Sequence, residues 1–228
     1  MKDKLLLYHG SDHEVGKPIF GGGKRHNDYG RGFYCTQEVE LAREWACSSA
    51  SEAGYVNEYE LELDGLKVIR LYERQYNILN WFAILLDNRI FDVVQPIPRQ
   101  NKEYILSEFL PPYRDADVII GYRADDSYFS FAKNFLENTI SLQDLSRAMK
   151  LGKLGRQVVL MSEKAFDRLS YLGCTSVDTA LYRQKRAERD ASARNEFKII
   201  SERGPGEDAV LAFDIVRNKW KNDDPRLR

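Results

Sequence analysis

Cysteine and histidine are both scarce in this chain, at three residues each, and neither sign of charge prevails. Cys35, Cys47 and Cys174 are odd in number and lack metal-ligand spacing. That argues against a disulfide framework and favours free thiols in a reducing cytosol. The formal net charge of −1 supplies no general pull toward nucleic acid or an anionic membrane. Any such partner must be met by a local patch. Long apolar runs are missing too: the longest, around Trp81–Leu86, is far too short to span a bilayer. The leucines at 5–7 are too few for a secretory segment, so a cytoplasmic location without a membrane partner is expected. There is no internal repeat and no low-complexity tract.

What is present suits a globular protein with an ordinary core, 43% hydrophobic and 30% charged over 228 residues. The texture changes near Val177, which divides the chain into a domain at 1–175 and a helical extension at 176–228. Leu5–His9 reads as a buried first strand and Phe33–Thr36 as a short second one. Thr36 then caps a helix to about Ser48, with Leu41, Ala42, Trp45 and Ala46 as its apolar stripe. Tyr55–Leu63 alternates as a half-exposed strand, and Lys67–Leu71 beyond Asp64-Gly65 reads as its hairpin partner. Helical periodicity covers Gln75–Asn88 and Arg99–Leu110, while Asp117–Tyr122 and Gln157–Met161 read as strands. Helices are also expected at Ser127–Glu137, Ser141–Lys150, Glu163–Leu169, the charged Leu181–Lys198 and Ala209–Lys219. Scattered short strands between helices make the fold class α+β.

Two segments carry most of the chemistry. The first strand ends in Tyr8-His9-Gly10-Ser11, an imidazole beside a glycine whose backbone a ligand can approach closely. Asp28–Thr36 (DYGRGFYCT) delivers Tyr34 on a short strand, reached through Gly30 and Gly32 and followed at once by a helix. A planar ring, a hydrogen-bonding histidine and accessible amides suit a nucleotide with a flat heterocycle.

These blocks, with AREWA (42–46), DVIIGYRADD (117–126), RQVVLMSEKA (156–165) and RDASAR (189–194), resemble the ADP-ribosyltransferase superfamily. The likeness is to its His–Tyr–Glu branch, which includes diphtheria-type toxins and poly(ADP-ribose) polymerases, and closest to little-characterised bacterial stand-alone domains. It implies a split β-sandwich of two small antiparallel sheets with surrounding helices and a helical C-terminal extension. It also implies NAD as co-substrate. His9 matches the histidine that bonds a ribose hydroxyl, Gly10 the residue whose backbone holds the carboxamide, and Tyr34 the tyrosine against the nicotinamide ring. Trp45 falls where the polymerases place a second aromatic. Ser11 and Thr36 belong to the same two matched blocks and complete the expected NAD-binding set with Asp125 and Asp126. Gln157 stands at the third position, where active transferases carry Glu.

That position departs from the pattern. A glutamine accepts the ribose hydrogen bond but brings no negative charge to the developing oxocarbenium, and charged hydrogen bonds are roughly twice as strong as neutral ones. Three outcomes follow: slow mono-ADP-ribosyl transfer to a macromolecular acceptor, a site completed by a carboxylate of Asp125 or Asp126, or an inactive NAD-binding module. Gly155, two residues earlier, lacks the acidic or amide side chain of arginine-modifying relatives. A toxin-like effector of this kind implies a neutralising protein partner. A further reading within the same fold, transfer of an RNA phosphate to NAD, needs a basic phosphate pocket that the sequence does not locate.

Plainer readings stand beside these. His9 suits a strand-end histidine bonded to backbone, Tyr34 and Trp45 suit core packing, Gln157 suits a surface amide at a strand start, and Asp125-Asp126 suits a helix N-cap. His9 and His13 have metal spacing only on a helix, and Gly10-Ser11 argues for strand and loop, so no metal is expected. Gly21-Gly22-Gly23-Lys24 lacks P-loop spacing. The basic helix at 183–198 reads as a solvated face or, alternatively, a nucleic-acid contact.

Overall fold

A computed structural model describes residues 3–47, 52–124, 129–148 and 155–227. Its strands are β1 (Lys4–Ser11), β2 (Phe33–Thr36), β3 (Tyr55–Glu62), β4 (Val68–Arg70), β5 (Val118–Tyr122), β6 (Arg156–Leu160) and β7 (Leu169–Ser176). They form one seven-stranded sheet in the order β4-β5-β6-β2-β1-β3-β7. Every pairing is antiparallel except β4 with β5. Eight α-helices are present among the described residues: α1 (Val39–Ala46), α2 (Ile78–Asn88), α3 (Pro96–Phe109), α4 (Phe129–Leu136), α5 (Leu142–Ala148), α6 (Glu163–Phe166), α7 (Thr179–Arg203) and α8 (Ala212–Arg217). The fold is mixed α+β.

The two small sheets that the resemblance implies are joined here in one hydrogen-bonded sheet with a weak seam. β1 follows β3 from Lys4↔Glu62 to Ser11↔Tyr55, and β2 follows β6 from Phe33↔Leu160 to Thr36↔Gln157. Between β1 and β2 the only paired residues are Tyr8↔Thr36. Each inner strand is held along its length by its other neighbour, so the two part beyond that single pair.

Successive residues of β5 and β6 feed opposite faces, as the period of two requires. Val118, Ile120, Val158 and Leu160 pack with Leu7, Cys35, Tyr59 and Leu61. Ile119 and Val159 pack with α2, whose residues Leu79–Leu86 are all buried. A helix apolar on every side belongs inside a protein, and α2 is the centre of the larger core.

Three local readings need correction. β4 is not the hairpin partner of β3: β1 and β7 occupy both edges of β3, and β4 runs parallel to β5 at the far side of the sheet. β7 was not anticipated, because an edge strand with Ser170, Leu172 and Thr175 exposed carries little apolar contrast. Thr36 is not the cap of α1: that place falls to Glu38, and Thr36 Oγ1 accepts the Glu38 N–H at 3.1 Å.

Candidate functional site

The parting of β1 and β2 opens a cleft of about 970 Å³. Past the Tyr8↔Thr36 pair the β1–β2 ladder stops, and the His9 side chain meets the Tyr34 backbone instead. Its Nδ1 lies 2.7 Å from the Tyr34 carbonyl oxygen. A carbonyl only accepts, so Nδ1 carries the proton and donates. Burial lowers the affinity of His9 for a second proton, against the opposing pull of that carbonyl. The ring is thus a neutral imidazole with a lone pair on Nε2. Phe33 packs on it at 4.5 Å between ring centroids.

Tyr34 is anchored by the turn that precedes it. Its hydroxyl donates to the Gly30 carbonyl at 2.6 Å and accepts the Tyr29 N–H at 3.1 Å. Gly30 has φ of 80°, which favours glycine, and a Cβ there would meet Asn88 Oδ1 at 2.5 Å. Burial pushes the Tyr34 phenol up, so it stays protonated. Tyr29 is wholly buried and donates to the Tyr122 carbonyl at 2.6 Å, tying the motif to β5.

His9, Gly10, Ser11, Tyr34, Trp45 and Gln157 all border the cleft. Thr36 does not: it is fully buried between β1 and β6, because it sits at the seam. Asp125 and Asp126 lie outside the described residues. Gly10 borders the cleft and also packs on α1: a Cβ would lie 1.9 Å from the Ala42 carbonyl oxygen, so the missing side chain makes room for that helix. Ser11 is held by Asn57, whose Nδ2 donates to its Oγ at 3.0 Å. Trp45 carries the Arg123 guanidinium 4.4 Å from its ring centroid.

Gln157 is 5% exposed and so is not a surface amide. Its Nε2 donates to Asp28 Oδ2 at 3.3 Å, while its Oε1 is buried and has no hydrogen-bond partner. Asp28, itself 3% exposed, accepts from Arg89 Nε and Nη2 at 3.0 and 2.7 Å and from the Ala124 N–H at 2.8 Å. Burial pushes its carboxyl up and Arg89 pulls it back.

The sequence reading missed several residues of this site. Asp28 opens DYGRGFYCT and Arg123 lies in GYRADD, but the local sequence signals no role for either. Arg89 carried no local signal. Arg186, Asp190 and Arg194 of α7 border the cleft, so part of the basic helix faces the site as well as solvent. α7 buries few apolar residues and is held on α1 by Tyr182 packed against Ala46 and by the pairing of Arg189 Nε with Glu44 Oε2 at 2.7 Å. Lys17, Lys24, Arg89, Arg123, Arg186 and Arg194 outnumber Asp12, Glu14, Asp28 and Asp190 around the cleft. Among the described residues, no group of three His, Cys, Asp or Glu side chains could hold a metal ion. No helix among them is long and apolar enough to cross a membrane.

The fold is thus mixed α+β, with a cleft at the seam of its sheet lined by more basic than acidic side chains. Residues 5–171 match the family described as "Protein of unknown function (DUF3990)", and the chain belongs to that family. No curated protein and no solved structure matches it.

Proposed function

We propose that this protein is an NAD-dependent mono-ADP-ribosyltransferase, the seam in its sheet marking where that superfamily's split β-sandwich divides. It cleaves the nicotinamide–ribose bond and passes ADP-ribose to a macromolecular acceptor, protein or nucleic acid. The observation that carries this reading is the meeting of His9, Tyr34 and Gln157, from three separate segments, at one cleft. The cleft volume of about 970 Å³ is suited to a dinucleotide.

In this reading His9 Nε2 accepts from a ribose hydroxyl, Tyr34 and Trp45 contact the nicotinamide, and the basic wall meets the diphosphate. The C1′–N bond breaks with its electron pair passing to nicotinamide. The acceptor nucleophile then bonds to C1′ and releases a proton. Without a glutamate at 157, rate depends on interactions that tighten as positive charge grows on the ribose. A toxin-like role with a neutralising protein partner belongs to the same proposal, as does a cytoplasmic setting.

Asp28 supports a second reading. The carboxylate bonded to Gln157 is already paired with Arg89, so the protein binds NAD or ADP-ribose without turning it over. Nicotinamide release separates the two. The transferase releases nicotinamide from NAD, and His9→Ala slows it by at least about tenfold. A binder shows an NAD-dependent rise in Tm with no release. Calorimetry without heat on adding NAD defeats both. Labelled NAD in a cell lysate, with nuclease and protease digestion of the product, identifies the acceptor class.

A further inference from the structure

Gln157 and Asp28 meet from positions 129 residues apart. A carboxylate offers about four lone-pair sites. In Asp28 all are taken by donors: Arg89 Nε and Nη2 on Oδ1, the Ala124 N–H and Gln157 Nε2 on Oδ2. The pairing with Arg89 favours the ionised carboxylate, which only accepts, so an amide oxygen turned toward Asp28 would meet another acceptor. The Gln157 side chain therefore has one permitted orientation, NH2 toward Asp28 and Oε1 away from it. That oxygen belongs to a side chain bordering the cleft, is buried, and has no partner.

We infer that Asp28 is a positioning residue which locks the Gln157 amide as a hydrogen-bond acceptor, making this a subsite for a ligand hydrogen-bond donor. The inference rests on the dinucleotide reading for the identity of that donor, a ribose OH, and deepens it by naming the residue that fixes the acceptor's orientation. It also accounts for glutamine at this position. An ionised glutamate would set a second carboxylate against Asp28, and like charges sharing a buried site cannot both ionise easily. A protonated glutamic acid would mimic the amide, its OH donating to Asp28 and its carbonyl left as acceptor.

The test uses the full chain as wild type, Gln157→Glu, Asp28→Asn and the double variant. Carbon-13 NMR follows the introduced carboxyl without ligand, and calorimetry follows NAD binding across pH. Among the described residues, the charged or titratable groups around the pair include Arg89, Arg123, Tyr29 and Tyr34, common to all four proteins. In Gln157→Glu the new carboxyl should titrate above the ordinary glutamate range. Adding Asp28→Asn should bring it down by about one pH unit or more. NAD affinity of Gln157→Glu should fall as pH rises through that midpoint, and the double variant should lose this dependence in the same window. Asp28→Asn alone should weaken NAD binding about tenfold.

A carboxyl that titrates in the ordinary range beside Asp28 overturns the inference, as does wild-type affinity in Asp28→Asn. If wild type gives no heat with NAD, the dinucleotide reading fails while the ligand-free titration still judges the pair. If Asp28→Asn does not fold, the titration of Gln157→Glu decides.

Discussion

A methyl group on Gly10 would lie 1.9 Å from the carbonyl oxygen of Ala42 and 2.6 Å from the Ala46 nitrogen, so β1 and α1 meet backbone to backbone. Neither neighbour can rotate aside as a side chain would. Gly10→Ala should therefore lower stability by roughly 1–3 kcal/mol or more, seen as an earlier midpoint in urea. An unchanged midpoint would mean that α1 moves off β1 with little loss.

His9 ties stability to pH. Its pKa is lowered from the ordinary 6.5, chiefly by burial. As pH falls through 6.5, the unfolded chain takes up the proton before the folded one does. The contribution is intact above that pH and lost toward the lowered folded value. Wild type should lose more stability than His9→Gln between about pH 7.5 and 5.5. Parallel losses in the two proteins would contradict the buried neutral ring.

Arg89 and Asp28 form an ion pair at 2.7 Å with side chains 18% and 3% exposed. Arg89→Met strands the carboxylate and should cost about 3–5 kcal/mol at neutral pH. Without Arg89 the carboxyl's folded pKa rises further, so stability is regained on acidification and lost as pH rises through that value. Denaturant unfolding of this variant at acidic and neutral pH checks the sign.

Trp45 borders the cleft, whereas Trp81 and Trp220 are buried at 1% and 8% exposure. A nicotinamide ring in the cleft should quench Trp45 emission. Trp45→Phe should remove the NAD-dependent change while leaving the protein folded. Persistence of the full change in that variant would locate the ring elsewhere.

Arg186 and Arg194 bring α7 to the cleft. Replacing either with Ala should weaken NAD binding about three- to tenfold and flatten its dependence on salt, since a charged contact to the diphosphate is lost. Unaltered affinity and salt slope in the double variant would remove α7 from the site.

The sites of the strands were legible where burial imposes a pattern. Tyr59, Leu61 and Leu63 are buried between partly exposed glutamates, as the alternation through β3 requires. Ser162 caps α6 by accepting the Ala165 N–H, and Ser141 Oγ accepts the Asp144 N–H at the start of α5, both as read from sequence. The edge strand β7 was not legible, since half its residues face solvent and resemble loop.

The sequence alone determined which segments bury a face and which short motifs carry an imidazole, a phenol and an amide. Those properties reside in local periodicity and residue chemistry. Only the tertiary structure decided that β3 spends both edges on β1 and β7, that Gly10 serves α1, and that Thr36 sits at the seam away from the cleft. It also decided that Asp28, Arg89 and Gln157 share one buried network. Edge pairing and the desolvation of a charge depend on which distant segments pack together, and no window of neighbouring residues contains that information.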